Sequence, residues 1–307
     1  VMVLLHGSPV ASTSLTPLMR ALENQARMVV PDLPGFGGST LRVADYSART
    51  HAHNVWDLLD ALKIEQAHVI GYSMGGAVAL EMADLKPARM RSLILVSSIG
   101  VQELELLGDH TLNHAVHGLQ LTALTALQEG FPHFGKLDHF PLNRYYARNF
   151  FDTDQRPLRQ YLTELEQPTL IVHGGEDFLV PLAAAQEHHR LVAQSEMMLL
   201  ENGDHITVIR HPERIAPGVM SFIERVEKNQ VPSRSQAAPQ RVQLAAEPFD
   251  AHRPSRDSWK VTVFMMILLA LATFVTEDLT CIGAGLLVAR GAMGFLPATV
   301  ACLIGIF

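Results

Sequence analysis

A tight turn between a buried strand and a small-residue helix constrains this chain more than any other feature. The apolar run Ala67-His68-Val69-Ile70 leads into Gly71-Tyr72-Ser73-Met74-Gly75-Gly76, and Ala77-Val78-Ala79-Leu80-Glu81-Met82-Ala83 leads out. A turn this sharp forces its central serine into a strained backbone geometry. Gly71 and Gly75 remove the Cβ atoms that would clash with the neighbouring turn and helix. The strain presents the Ser73 hydroxyl at the carboxyl end of a sheet, over a helix N-terminus that favours developing negative charge. Gly-x-Ser-x-Gly occurs by chance in many chains. Its strand and helix context makes Ser73 a candidate nucleophile rather than part of a plain glycine-rich turn.

The rest of the first 226 residues repeats that alternation. Short, near-continuous apolar runs predict strands at Met2–Leu5, Met28–Val30, Ala67–Ile70, Leu93–Val96, Thr169–Val172 and Met197–Leu200. Amphipathic stretches predict helices at Leu15–Asn24, Ala48–Leu62, Ala77–Leu85, Ala183–Val192 and Pro212–Lys228. Strand and helix in alternation imply an α/β fold, with a mostly parallel sheet covered by helices on both faces. Between Val96 and Thr169 the rhythm breaks. Only helix-like segments occur there (Val101–Leu107, Leu112–Leu127, Leu158–Leu165), with turns at Gly130-Phe131-Pro132 and Phe140-Pro141. An insertion of this length at the end of a strand predicts a helical cap over a site, at about residues 100–166.

Composition changes twice after that. Gln, Ser, Ala, Pro and Arg dominate residues 227–257, as expected of a flexible linker. The chain is 48% apolar overall, and much of the excess collects beyond residue 258. Val261–Thr276 carries no charge, slightly short of the ~20 residues that span a bilayer. Glu277-Asp278, the run Leu279–Ala289, Arg290 and the run Ala292–Phe307 follow. The acidic pair reads equally as a polar loop or as functional carboxylates at membrane depth. Five basic residues, Arg234, Arg241, Arg253, Arg256 and Lys260, precede the apolar run and predict a cytoplasmic linker and α/β domain at a cell membrane. Val1–Leu5 already reads as a core strand and Phe307 ends an apolar run, as expected of an internal piece of a longer protein. A net charge of −7 without a basic, aromatic-interleaved stripe argues against nucleic-acid binding. Two cysteines, Cys281 and Cys302, both in the tail, predict no disulfide framework.

A serine hydroxyl needs a base, an acid to orient that base, and donors for an oxyanion. His205, after Gly203-Asp204, is the candidate base. Asp177, just past a predicted strand in His173-Gly174-Gly175-Glu176-Asp177, is the candidate acid, with neighbouring Glu176 as its competitor. The N–H groups of Ser8 and Met74 are the candidate oxyanion donors, and His6, Gly7 and Tyr72 the candidate pocket residues. His6 shapes the oxyanion loop by hydrogen bonding in this reading, Asp32 fixes the Pro34-Gly35 turn, and Tyr72 and Met74 line the pocket or are only packed. His110, His114 and His117 share a helical face without a cysteine or clear carboxylate partner, so a polar cap surface is expected rather than a metal site. His51 and His53, and the pair His188-His189, read as solvated helix faces. No cofactor is expected.

His6-Gly7-Ser8-Pro9, Asp32-Leu33-Pro34-Gly35-Phe36-Gly37-Gly38-Ser39, the Ser73 turn, the Asp177 segment and Gly203-Asp204-His205 together resemble the α/β-hydrolase fold family. The resemblance covers about residues 1–226. It implies an eight-stranded sheet entered at its third strand, the triad Ser73, Asp177 and His205, a helical cap, and acyl-enzyme chemistry on an ester or related acyl bond of a small or lipid-like substrate. A non-catalytic hydrolase-fold module is the alternative. The segment from Phe274 to Gly291 is similar to the start of DedA (SNARE-associated, VTT-type) membrane proteins. That resemblance implies polar membrane-domain roles for Glu277, Asp278 and Arg290, and a hydrolase tethered to the bilayer.

Overall fold

The computed structural model describes residues 1–23, 26–41, 43–130, 143–250, 263, 266, 267, 270, 277–289 and 293–306. Among them are six strands: β1 (Met2–Leu5), β2 (Met28–Val29), β3 (Ala67–Tyr72), β4 (Met90–Val96), β5 (Thr169–Gly174) and β6 (Glu196–Leu200). They form one sheet in the order β2-β1-β3-β4-β5-β6, parallel throughout. Every predicted strand is present. The apolar runs are continuous because both faces are covered. Val3, Leu5, Val69, Leu93 and Leu95 enter the core on one face, and Met2, Leu4, Ile70, Ile94 and Val96 the core on the other.

The first face packs against α2 (Ala48–Ala61) and α3 (Met74–Leu85). Ser47 caps α2 by accepting the Thr50 N–H at 3.2 Å. Trp56 of α2, 1% exposed, donates to the Met82 carbonyl of α3 at 3.1 Å and locks the two helices together. The second face packs against α1 (Thr16–Leu22) and a later helix, Ala216–Glu227. Phe222 of that helix is fully enclosed, a burial that contributes about 2 kcal/mol. The helix predicted over Pro212–Lys228 is divided: a 3-10 turn, Pro212–Arg214, precedes it.

Between β4 and β5 stand the cap helices α4 (His110–Gly130), α5 (Arg144–Asp152) and α6 (Leu158–Glu164). Val101–Leu107 is not a helix. Only Gln102–Leu104 forms a 3-10 turn, and Leu106 adopts a positive φ of 45°. α5 is not among the expected helices. Its start is set by Asn143, whose side chain accepts the Tyr145 and Tyr146 N–H groups. Asn149 and Asp152 then tie α5 to Tyr46 just before α2, with bonds of 2.8 and 2.9 Å to the Tyr46 carbonyl and N–H. The turns expected at Phe131-Pro132 and Phe140-Pro141 lie outside the described residues.

The remaining helices of this unit are α7 (Leu182–Leu191), α8 (Thr207–Arg210), α9 (Ala216–Glu227) and α10 (Pro239–Ala245). The last of them corrects the linker expectation. The hydrolase-like unit runs from Val1 to Glu247, beyond the expected end at 226. Val231 and Ala245 are buried, and Arg190 of α7 donates to the carbonyls of Leu244 and Glu247 at 2.7 and 3.0 Å. A polar, proline-containing stretch is therefore held by a distant side chain bonded to its backbone carbonyls, which its composition does not display.

Pro248–Phe307 forms a second unit. It contains the helices Glu277–Ala289 and Phe295–Ile306, of 13 and 12 residues. No helix among the described residues is long and apolar enough to cross a membrane. Most of the run Val261–Thr276, and Arg290, lie outside the described residues. Glu277 and Asp278 open the first of these helices.

Candidate active site

Ser73 stands between β3 and α3 with φ 54° and ψ −120°, a region an L-residue enters only under strain. Its N–H donates to the Val96 carbonyl at 2.9 Å and its carbonyl accepts from Gly76 at 2.9 Å, so the surroundings hold the strained turn in place. A Cβ on Gly75 would meet the Leu5 carbonyl and stand 2.7 Å from the His6 carbonyl, which explains the glycine. α3 therefore seats directly against the end of β1.

The end of β1 carries the next element. A Cβ on Gly7 would stand 2.9 Å from the Ser73 Cβ, so only glycine lets this loop approach the candidate nucleophile. Ser8 follows immediately, its Oγ enclosed without a hydrogen-bond partner among the described residues. Met74 opens α3, and a first-turn N–H has no acceptor within its own helix.

His6 is fully buried and does not line a pocket, which corrects that part of the expectation. Its Nε2 accepts the Leu33 N–H at 3.0 Å, and its Nδ1 lies 2.8 Å from the Gly7 carbonyl. Burial lowers its pKa, so a neutral ring braces the loop. Asp32 accepts the N–H groups of Ser12 and Gly38, both at 2.8 Å, and so fastens the neighbouring turn as expected. Tyr72 is 3% exposed and is also not a free pocket wall. Its hydroxyl donates to the His205 carbonyl at 3.0 Å, and the two rings lie 5.3 Å apart.

The three residues singled out as nucleophile, base and acid meet. His205 Nε2 is 3.0 Å from Ser73 Oγ, and His205 Nδ1 is 2.8 Å from Asp177 Oδ2. All three are buried. Asp177 Oδ1 accepts the Leu179 and Val180 N–H groups at 3.0 and 2.9 Å, which leaves Oδ2 for the imidazole. Between Glu176 and Asp177 the geometry chooses Asp177; Glu176 is exposed. In this arrangement Nδ1 carries the proton toward Asp177 and Nε2 presents a lone pair to the serine hydroxyl.

Sequence reasoning misplaced several other histidines. His51 and His188 are buried, at 0% and 1% exposure, rather than solvated; His53 is exposed as expected and His189 is half-buried. Burial lowers the pKa of His51 to about 4 and that of His188 to about 3. His114 stacks on Phe151 with ring centroids 4.1 Å apart, and His117 on Phe150 at 5.3 Å, so this column packs α4 on α5. Among the described residues no group of three His, Cys, Asp or Glu side chains is placed to hold a metal ion.

The profile of the family described as alpha/beta hydrolase fold matches residues 1–138. The chain is 30% identical over 253 residues to 2-hydroxymuconate semialdehyde hydrolase of Pseudomonas putida, covering 73% of this chain and 87% of that protein. It is 28% identical over 247 residues to pimeloyl-[acyl-carrier protein] methyl ester esterase of Aeromonas hydrophila, covering 72% and 94%. Its fold resembles that of a thermophilic esterase from Thermogutta terrifontis, with a TM-score of 0.62 at 21% identity over 73% of this chain and 89% of that one.

Proposed function

The chain belongs to the alpha/beta hydrolase fold family and is a hydrolase, and we propose that it cleaves an ester or related acyl bond through Ser73, His205 and Asp177. The observation that carries this reading is the unbroken hydrogen-bonded line from Ser73 Oγ to Asp177 Oδ2. Ser73 Oγ attacks the acyl carbon while His205 Nε2 takes its proton. The Ser8 and Met74 N–H groups receive the oxyanion, with the enclosed Ser8 hydroxyl beside them. His205 then gives the proton to the leaving alkoxide, and an acyl-Ser73 ester remains. Water, deprotonated by His205, attacks that ester, and the acid leaves as Ser73 regains its proton. Asp177 keeps the imidazole in the required tautomer and stabilises its charged form. In the full-length protein, Ser73→Ala should abolish hydrolysis of short and medium-chain nitrophenyl esters and block fluorophosphonate labelling. Equal rates for the two proteins would reject the triad.

The ester-cleaving relative supports a methyl or other simple ester, and the first relative supports 2-hydroxymuconate semialdehyde as second choice. Turnover of 2-hydroxymuconate semialdehyde in preference to esters would favour the latter.

Membrane tethering through residues 258–307 is the further part of the proposal, with the hydrolase unit on the cytoplasmic side. Phe295, Leu296 and Ile304 of the tail helix are 74%, 71% and 61% exposed, and apolar exposure of this extent favours a lipid or protein partner. A DedA-like role for Glu277, Asp278 and Arg290 rests on sequence likeness alone. Failure of the full chain to float with phosphatidylglycerol-containing vesicles would count against tethering and leave the hydrolase reading intact.

A further inference from the structure

Resting on the triad reading above, we infer that His173 is a positioning residue, which holds the Asp177 carboxylate in place through the backbone of Val180. His173 is the penultimate residue of β5, so the sheet fixes its backbone. Its ring is 1% exposed, and Nε2 lies 3.0 Å from the Val180 carbonyl. A carbonyl can only accept, so Nε2 carries the hydrogen. Burial lowers the pKa of the ring and keeps it neutral; the titratable groups facing it are Asp177, His205 and His188.

The N–H of the same residue, in the preceding peptide unit, serves the acid. It donates to Asp177 Oδ1 at 2.9 Å. A hydrogen-bonded path therefore runs from a strand-held imidazole through one loop residue to the carboxylate that orients His205. His173 Nε2 itself lies 3.6 Å from Asp177 Oδ2, the oxygen that His205 uses. The Leu179 and Val180 N–H groups and His205 Nδ1 are thus the three donors to the carboxylate, and His173 stands beside it. Without His173 the buried Val180 carbonyl loses this partner and the turn after β5 loses a side-chain tie to the strand.

Glutamine and asparagine at this position separate the role from simple space-filling. The glutamine amide nitrogen reaches where Nε2 stands, whereas the asparagine nitrogen reaches only the place of Nδ1. In the full-length protein, His173→Gln should keep kcat for a nitrophenyl ester within about threefold of the parent, while His173→Asn should lower it by about tenfold, less than a full ångström of misplacement costs. KM should stay within about twofold in both, because no substrate contact is removed. His173→Phe, which keeps the ring volume and lacks the donor, should match the asparagine protein and serves if that variant does not fold. Equal kcat in the glutamine, asparagine and phenylalanine proteins would overturn the inference, as would losses confined to the thermal midpoint. Full activity in Ser73→Ala would instead reject the triad, whatever the His173 series gave.

Discussion

The Tyr72 hydroxyl donates to the main-chain carbonyl of His205 at 3.0 Å, joining the residue before the candidate nucleophile to the candidate base. The turn at the end of β3 and the loop after β6 are thereby held at one spacing. Burial raises the Tyr72 pKa, so the phenol remains a donor throughout the working pH range. Tyr72→Phe should lower kcat several-fold with little change in KM and cost about 1 kcal/mol of stability. Steady-state kinetics beside urea denaturation measures both effects.

Gly75→Ala should be among the most damaging single-methyl changes in the chain. The added carbon meets the Leu5 carbonyl and stands 2.7 Å from the His6 carbonyl. Both are backbone atoms of the β1 end, which cannot rotate away. A loss of about 1–3 kcal/mol is expected, read as a lower urea midpoint at unchanged slope.

His51 should make the fold acid-sensitive. Its ring is fully buried, and burial lowers its pKa from 6.5 to about 4. Between those values the unfolded chain binds a proton that the folded chain refuses, so stability falls as pH drops through the window. The loss begins near 6.5 and approaches about 3 kcal/mol near pH 4. Asn149 donates to His51 Nε2 at 3.2 Å, so the cap helix α5 shares this sensitivity. His51→Gln should flatten the dependence in urea titrations across that range.

Glu105 should act in the opposite sense. Burial at the base of the cap raises its carboxyl from 4.5 to about 7, and Gln155 donates to it. Between those values the folded chain keeps a proton that the unfolded chain has released. Its contribution is complete below 4.5 and is lost as pH rises through 7. Glu105→Gln keeps the shape without the ionisation, so its stability should decline less than the parent's between these limits. Paired denaturation curves at the two ends of the window provide the comparison.

The sequence by itself determined the sheet and the candidates for the chemistry-bearing residues. Continuous apolar runs such as Leu93–Val96 have one stable use, a strand covered on both faces, and the paired glycines around Ser73 have one local geometry. These signals are local, so they are legible in order along the chain. Tertiary structure decided whatever depends on partners distant in sequence. It selected Asp177 over Glu176 by bringing Oδ2 to His205. It also gave His6 the Leu33 N–H and Tyr72 the His205 carbonyl as partners, buried His51 and His188, and drew residues 231–247 into the first unit. The physical reason is that a polar side chain's role is set by the donor or acceptor it meets on folding. Composition records which groups are available, but only the packed chain pairs them.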